Sequence, residues 1–528
     1  MKKFVAMLLL CSCSQEAADR HSLQFQEVKT EIAPIECGHE PQQSILEVNG
    51  CGMALFDFDN DEDLDLFVIS HGGQGQCKLY ANESSNGSIV YRDVTSTANI
   101  QPKGQPMGVA VGDVNGDSFD DLYVTCLGPN KLLINNGDGS FTEDSHKARV
   151  DDEGWGTSAA FGDLDGDGDL DLYVCNYLEF DVHNPPPNAT YKGVDVLGGP
   201  HGLTPQKDVV YENLGDGTFA SANQKWGVTS PPAFGLNVAI LDFNDDGKQD
   251  IYVGNDSMAN SLYLNQGDGF IDAGFYSGAA TNGEGSMQAT MGIAIGDVNN
   301  DSLPDILSTN FSSDTNTLHI NSPSGFFDDR TNQYGLGLMS RMLLGWTCDF
   351  QDFDGDGHDD IIILNGHVYP NATIETMDSN RLQPLTLMAR SGVRFVDTSS
   401  IEGEFDDRAG VFGDLDGDGD VDMVVAPRHG AVRVYENKGD ASNTLKLTLQ
   451  GNGQNSKGLG AKVTVHLNDG SSKTKWNHDG SGFQSSASTP LLFTFAYNAK
   501  PVSIEIVWAD GHSQSVEVVG QLMHILQE

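Results

Sequence analysis

Apolar residues in this chain come in short runs separated by small and acidic ones. "GVAVGD" (108–113) precedes an acidic stretch, and "DLYVT" (121–125), "NKLLINN" (130–136), the turn "GDG" and "SFTED" (140–144) follow it. Runs of this length bounded by Gly, Asn and Asp read as β-strands joined by tight turns, without the spacing of an amphipathic helix. The third run and its turn return as "YENLGDGTF" (211–219), "LYLNQGDGF" (262–270) and "LHINSPSGFF" (318–327). The acidic stretch itself begins at 57, 113, 163, 242, 297, 352 and 414, usually 50–62 residues apart. A period of that size signals a repeat architecture, and four short antiparallel strands per period make one blade of a β-propeller. Fourth-strand runs follow the first six acidic stretches, whereas "AVRVYENKGD" (431–440) after the seventh has none behind it. "LQFQEV" (23–28) supplies the missing strand, so the pattern predicts a seven-bladed ring whose last blade is completed from the amino-terminal side.

The acidic stretches are seven copies of one loop: DFDNDEDLD, DVNGDSFDD, DLDGDGDLD, DFNDDGKQD, DVNNDSLPD, DFDGDGHDD and DLDGDGDVD. Positions 1, 5 and 9 are always Asp, and position 3 is Asp or Asn. Position 7 ranges over Asp, Phe, Lys, Leu and His, as expected where only a backbone carbonyl is used. Like charges about 4 Å apart repel by roughly 1 kcal/mol in water and about 4 kcal/mol at an effective dielectric near 20. A divalent cation among the carboxylates removes that repulsion, and an all-oxygen cage is what Ca²⁺ prefers; Mg²⁺ keeps more of its water. The expected ligands of up to seven Ca²⁺ are Asp57, Asp59, Asp61, Asp63 and Asp65 in the first loop, and Asp113, Asn115, Asp117, Phe119 and Asp121 in the second. Asp163, Asp165, Asp167, Asp169 and Asp171 form the third set, and Asp242, Asn244, Asp246, Lys248 and Asp250 the fourth. Asp297, Asn299, Asp301, Leu303 and Asp305 follow, then Asp352, Asp354, Asp356, His358 and Asp360, and last Asp414, Asp416, Asp418, Asp420 and Asp422. An EF-hand is excluded, because position 12 is Val, Ser or Ile where that motif needs Glu and the flanks are strand-like. Positions 4 and 6 are mostly Gly, Asn, Ser or Asp, residues that tolerate left-handed turns.

Composition narrows the partners. With 29 basic against 76 acidic residues and a formal charge of −47, the chain repels nucleic acid and anionic lipid. "MKKFVAMLLLCSCS" has a basic start, a short apolar run and a small-residue site, which resembles a lipoprotein signal cut before Cys13. Cys13 is then the lipidated residue, membrane contact runs only through that anchor, and the chain is exported to the outer membrane or cell surface. Six further cysteines allow fifteen pairings, Cys37 with Cys51 being the shortest to imagine, and no CxxC spacing points to zinc. The resulting division is a signal over 1–12, a linker over 13–21, the propeller over 22–440 and a small β domain over 441–528.

Several segments resemble a known family: "NDSMANSLYLNQGDG", "MGIAIGDVNNDSLPDIL" and "LGWTCDFQDFDGDGHDDIIILNGHVYP" look like FG-GAP/VCBS-repeat proteins of the cartilage acidic protein family. Residues 455–518, with "NSKGLGAKVTV", "HDGSGFQSS" and "VSIEIVWADG", are similar to the ASPIC/UnbV domain that closes those chains. The resemblance implies an all-β fold, a calcium-dependent propeller followed by a small β domain, secreted or surface-bound and acting in binding or adhesion. It supplies no reaction. Where relatives are expected to carry Cys near the "GP" of the 179–210 insert, this chain has Leu197 and Gly198, which leaves Cys175 without a partner.

Candidate chemistry outside the loops is sparse. The chain contains no HExxH, GxSxG or phosphate-cradling glycine loop, and "WGTS" (155–158) is no nucleophile elbow. His367 in "NGHVYP" and His201 in "GGPHGL" read as hydrogen-bonding residues, and Asp256 and Asn365 as turn caps. The expected function is a surface module that binds a glycan or an extracellular protein. The competing class, a calcium-dependent carbohydrate-active enzyme such as a polysaccharide lyase, needs a basic cluster that the 179–210 insert lacks.

Overall fold

The computed structural model describes residues 23–71, 77–85, 87–439, 441–480 and 482–528. The signal-like segment, the 13–21 linker and Cys13 lie outside the described residues. Among the described residues no helix is long and apolar enough to cross a membrane.

Nearly all the regular structure is β. Seven consecutive antiparallel sheets are built on the inner strands Met53–Phe56, Gln105–Gly112, Gly156–Gly162, Gly235–Leu241, Ile293–Gly296, Gly345–Gln351 and Asp407–Gly413. Each inner strand packs against those before and after it, and the last packs against the first, so the sheets stand as blades of a closed propeller. The inner strands are buried almost end to end, which is why small and β-branched residues fill them and strict alternation is lost. Phe25–Val28 pairs antiparallel with Arg433–Asn437, Phe25 opposite Asn437 and Val28 opposite Val434, so the seventh blade is completed by a strand from the amino-terminal side. Closure leaves no open sheet edge inside the ring. A disulfide joins Cys37 to Cys51, and Cys77, Cys126, Cys175 and Cys348 are buried free thiols.

The tail forms two sheets around one core. Leu491–Thr494, Thr444–Gln450 and Leu522–Leu526 make three strands; Ser472–Trp476, Lys462–Leu467, Pro501–Val507 and Ser513–Glu517 make four. Leu447, Val463, Val465, Phe493, Ile504 and Ile506 are fully buried between them.

This small domain is not set apart from the ring. Its residues 478–480 and 482–487 run into the centre of the propeller. Gly482 exchanges backbone hydrogen bonds with Ile293 (2.9 and 3.2 Å), Val109 N–H donates to Gln484 O (3.1 Å), and Asn237 Nδ2 donates to Gly482 O. Phe161 N–H donates to Asp479 Oδ2 (3.1 Å), Val111 N–H to Ser486 Oγ (3.1 Å), and Ser486–Ala487 pairs parallel with Ala54–Leu55. Phe483 is wholly buried with its ring centroid 4.8 Å from that of Trp346. The fit leaves no room for larger residues: a Cβ on Gly52 would lie 1.7 Å from Gln484 O, and one on Gly480 (φ +93°) 2.0 Å from Val238 O. Inner strands that would otherwise line an open channel find their partners on this plug.

Candidate metal centres

Each acidic loop joins an inner strand to the second strand of its blade. Positions 4 and 6 are left-handed in all seven loops, from Asn60 and Glu62 (φ 59° and 73°) to Gly417 and Gly419 (φ 79° and 93°). Two left-handed residues turn successive backbone N–H groups inward, a concavity suited to an anion. The position-1 carboxylate fills it: Asp242 Oδ1 accepts Asp246 N–H (3.1 Å) and its Oδ2 accepts Gly247 N–H (2.7 Å), and Asp57 and Asp297 do the same. Position 5 then accepts the N–H of position 7, as Asp117 does from Phe119 (3.0 Å) and Asp301 from Leu303 (3.0 Å). The position-7 N–H is thus used within the loop whatever its side chain, which accounts for the tolerance of Phe119, Lys248 and Leu303 there.

Position 9 has a different task. Asp250 Oδ2 accepts Phe243 N–H (3.0 Å), closing the loop, while its Oδ1 accepts Asn265 N–H (2.8 Å) from the third strand. The same pair of bonds recurs at Asp65, Asp121, Asp171, Asp305, Asp360 and Asp422. Burial pushes the carboxyls of Asp65, Asp305 and Asp422 up to about 8, and those of Asp121, Asp171, Asp250 and Asp360 well above their ordinary value.

The carboxylates converge in four loops. Asp57, Asp59 and Asp61; Asp163, Asp165 and Asp171; Asp352, Asp354 and Asp356; and Asp414, Asp416 and Asp422 each bring one oxygen apiece within 4.8 Å of the others. Between them these groups use positions 1, 3, 5 and 9. In the other three loops position 3 is Asn115, Asn244 or Asn299, and two of those amides donate to the position-5 carboxylate, Asn115 to Asp117 (3.1 Å) and Asn299 to Asp301 (2.9 Å). In the fourth loop the Lys248 ammonium reaches Asp246 Oδ2 (3.1 Å). Buried oxygens without a hydrogen-bond partner among the described residues include Asp352 Oδ1, Asp169 Oδ1, Asp416 Oδ2 and Asp420 Oδ1. An uncompensated buried carboxylate is costly, and a hard cation held by these oxygens fits the donor set.

The small domain lies on the loops. Ser456 Oγ donates to Asp113 Oδ2 (2.5 Å), and Asn455 N–H to Gly168 O (3.0 Å). Lys446 pairs with Asp414 (3.2 Å), and Lys462 with Asp245 (2.7 Å).

Sequence reasoning missed a second recurring element. Asn265 Nδ2 donates to Gln249 O in its own blade (3.1 Å) and to Leu164 O in the loop of the preceding blade (2.8 Å). Asn82, Asn135, Asn213, Asn321 and Asn437 likewise reach the preceding loop, at Leu415, Phe58, Val114, Phe243 and Phe353. In the sixth blade Arg390 replaces Asn, its guanidinium reaching Val298 O (3.2 Å). The signal was present in the repeated "N" at the end of the third strand in six of the seven blades.

At the opposite ends of the second strands, His367 is wholly buried; its Nδ1 accepts Tyr369 N–H (3.1 Å) and its Nε2 donates to Ser312 Oγ (3.1 Å). His201 is exposed. Asp256 accepts Tyr177 Oη (2.6 Å) and Ser257 Oγ (2.8 Å), and Asn365 Nδ2 donates to Pro384 O (2.8 Å). The 179–210 insert holds a hairpin, Ala189–Tyr191 with Val194–Val196, packed on Ala372 and Met377 of the sixth blade.

The FG-GAP-like repeat model matches residues 57–124, 113–174, 194–253, 242–308 and 297–363, and the ASPIC and UnbV model matches 451–525. Cartilage acidic protein 1 of Xenopus tropicalis is 22% identical over 525 residues, covering 94% of this chain and 75% of that protein. The Homo sapiens protein of the same name is 23% identical over 554 residues, covering 97% of this chain and 76% of its own. Among solved structures, YCF48 from Cyanidioschyzon merolae aligns at TM-score 0.37 and 11% identity, over 78% of this chain and 98% of that one. The repeat matches over more than half of the chain, with the carboxy-terminal match behind them, show that it belongs to the FG-GAP-repeat proteins with an ASPIC/UnbV domain, the family of the cartilage acidic proteins.

Proposed function

We propose that the protein is an exported, lipid-anchored binding module whose acidic loops hold up to seven Ca²⁺ and whose ring presents a surface to a glycan or an extracellular protein. The observation that carries this reading is the convergence of three carboxylates in four of the loops, with buried oxygens left unpartnered beside them. Bound Ca²⁺ would neutralise the loop carboxylates. Positions 1 and 9 tie the loop to its blade, and the lysines of the small domain offset part of the remaining charge. Each ion would therefore stiffen one blade and the seat of the small domain together. The sheets, plug and latches build a rigid scaffold.

Loading with Ca²⁺ is expected to raise the melting temperature steeply, because the ion binds the folded state alone. An unchanged melting curve in excess chelator, or folded protein free of alkaline-earth metal on elemental analysis, overturns the metal reading. New ultraviolet-absorbing unsaturated ends after incubation with acidic polysaccharides would replace the binding module with a lyase.

A further inference from the structure

The face away from the acidic loops carries a cavity of about 450 Å³, within the range of small-ligand sites. Its lining includes Tyr177, Tyr191, Asp256, Phe311, Trp346 and Tyr369. Three half-buried rings form a cluster: Tyr191 lies 6.0 Å from Phe311 and 5.8 Å from Tyr369, and Phe311 lies 6.1 Å from Tyr369. They come from the insert, the fifth blade and the sixth. His367 supports two of them, its ring 5.5 Å from Phe311 and 5.3 Å from Tyr369, and the Tyr369 backbone is tied to its Nδ1.

The polar groups are equally fixed. The Asp256 carboxylate is held by Tyr177 and Ser257, and Asp314 Oδ1 accepts Gln288 Nε2 and Thr315 N–H, each at 2.8 Å. Asn49, also in the lining, is 3% exposed, and its Nδ2 has no hydrogen-bond partner among the described residues.

Charge decides the class of ligand. Two carboxylates on the wall, in a chain of formal charge −47, disfavour an anion. On Tyr191 the place a cation would take is filled by the chain's own Lys192. Its Nζ sits 5.5 Å from the Tyr191 centroid and is held by Ser313 Oγ (2.9 Å), Met377 O (3.0 Å) and Asp378 Oδ2 (3.0 Å). An uncharged ligand with a flat apolar face and hydroxyls at its edge matches what remains. We infer that this cavity binds a neutral sugar unit of a glycan, stacked on the Tyr191–Phe311–Tyr369 cluster and hydrogen-bonded by Asn49, Asp256 and Asp314. The inference rests on the binding-module reading above and gives it a place and a ligand class. The insert is then a wall of the site, since without its hairpin the cluster loses Tyr191.

The test uses the full chain with Ca²⁺ and a panel of cellohexaose, laminarihexaose, mannohexaose and chitohexaose, with hexagalacturonate as the anionic control. Calorimetric titration and saturation-transfer NMR are the readouts. At least one neutral hexamer should bind with its ring protons saturated, and hexagalacturonate should not. Tyr369→Ala and Tyr191→Ala should each weaken that binding about tenfold or more, as truncation of an aromatic anchor does. The two residues stand on different elements, so Tyr191→Ala keeps the test alive if Tyr369→Ala fails to fold. Binding unchanged in both variants overturns the cavity assignment while the binding module stands. No binding by any neutral hexamer, or binding only by hexagalacturonate, overturns the sugar inference; cleavage of hexagalacturonate overturns the binding-module reading as well.

Discussion

Asn265→Ala removes one inter-blade latch and, from the acidic loop of its own blade, only the bond to Gln249 O. The Asn265 side chain is 5% exposed and makes three hydrogen bonds: to Leu164 O, to Gln249 O, and from Gly267 N–H (2.8 Å). Its backbone N–H still reaches Asp250 after the substitution. At about 1 kcal/mol per hydrogen bond, and with two carbonyls left buried and unpaired, the loss is about 3 kcal/mol. Spread over a chain of this length, that lowers the melting temperature by only about 3 °C, so urea denaturation is the sharper assay. Hydrogen exchange should accelerate in the loop after Gly162, because Leu164 belongs to the neighbouring blade. Asn265→Asp should do more damage, since it turns a carboxylate toward two carbonyls with no donor left. A change below about 0.5 kcal/mol in Asn265→Ala, or faster exchange confined to the fourth blade, would refute the latch.

Two other outcomes follow from the same packing. Phe483→Ala should destabilise the protein by about 3–5 kcal/mol, because a fully buried ring is deleted from the plug; urea midpoints measure it, and a loss under about 1 kcal/mol would mean that the plug is not part of the core. Burial, with the Arg408 guanidinium nearby, lowers His367 to about 3, so it stays neutral in the folded chain but protonates near pH 6.5 once unfolded. Its contribution is therefore complete above pH 6.5 and is lost as pH falls from there toward 3, by up to about 5 kcal/mol at 1.36 kcal/mol per pH unit. His367→Gln should flatten that acid limb in a pH series of urea midpoints, and an unaltered slope would show that other groups set it.

The loops were readable because their chemistry is local. Nine residues with Asp at alternate places state both the concavity and what fills it, and the left-handed turns at Asn60, Glu62, Ser118 and Ser302 follow from the same stretch. The latch was half readable: Asn closes the third strand of six blades, but its partner is on the neighbouring blade, 101 residues away for Asn265 and Leu164. His367 was read as a hydrogen-bonding residue, yet its sequence neighbours say nothing of the Phe311 ring beside it.

Sequence alone determined the repeat, the blade order of strands and the acidic loops, since each depends on contacts within one period of the chain. Tertiary structure decided the rest: that residues 482–487 enter the ring, where Ser485 meets Met53 across 432 residues, and that the insert hairpin reaches the sixth blade, where Lys192 meets Asp378. Such contacts appear only once closure has brought distant segments together. What selects them is shape, the absence of a Cβ at Gly52 and Gly480 and the space beside Trp346, and a linear pattern of apolar and polar residues does not carry shape.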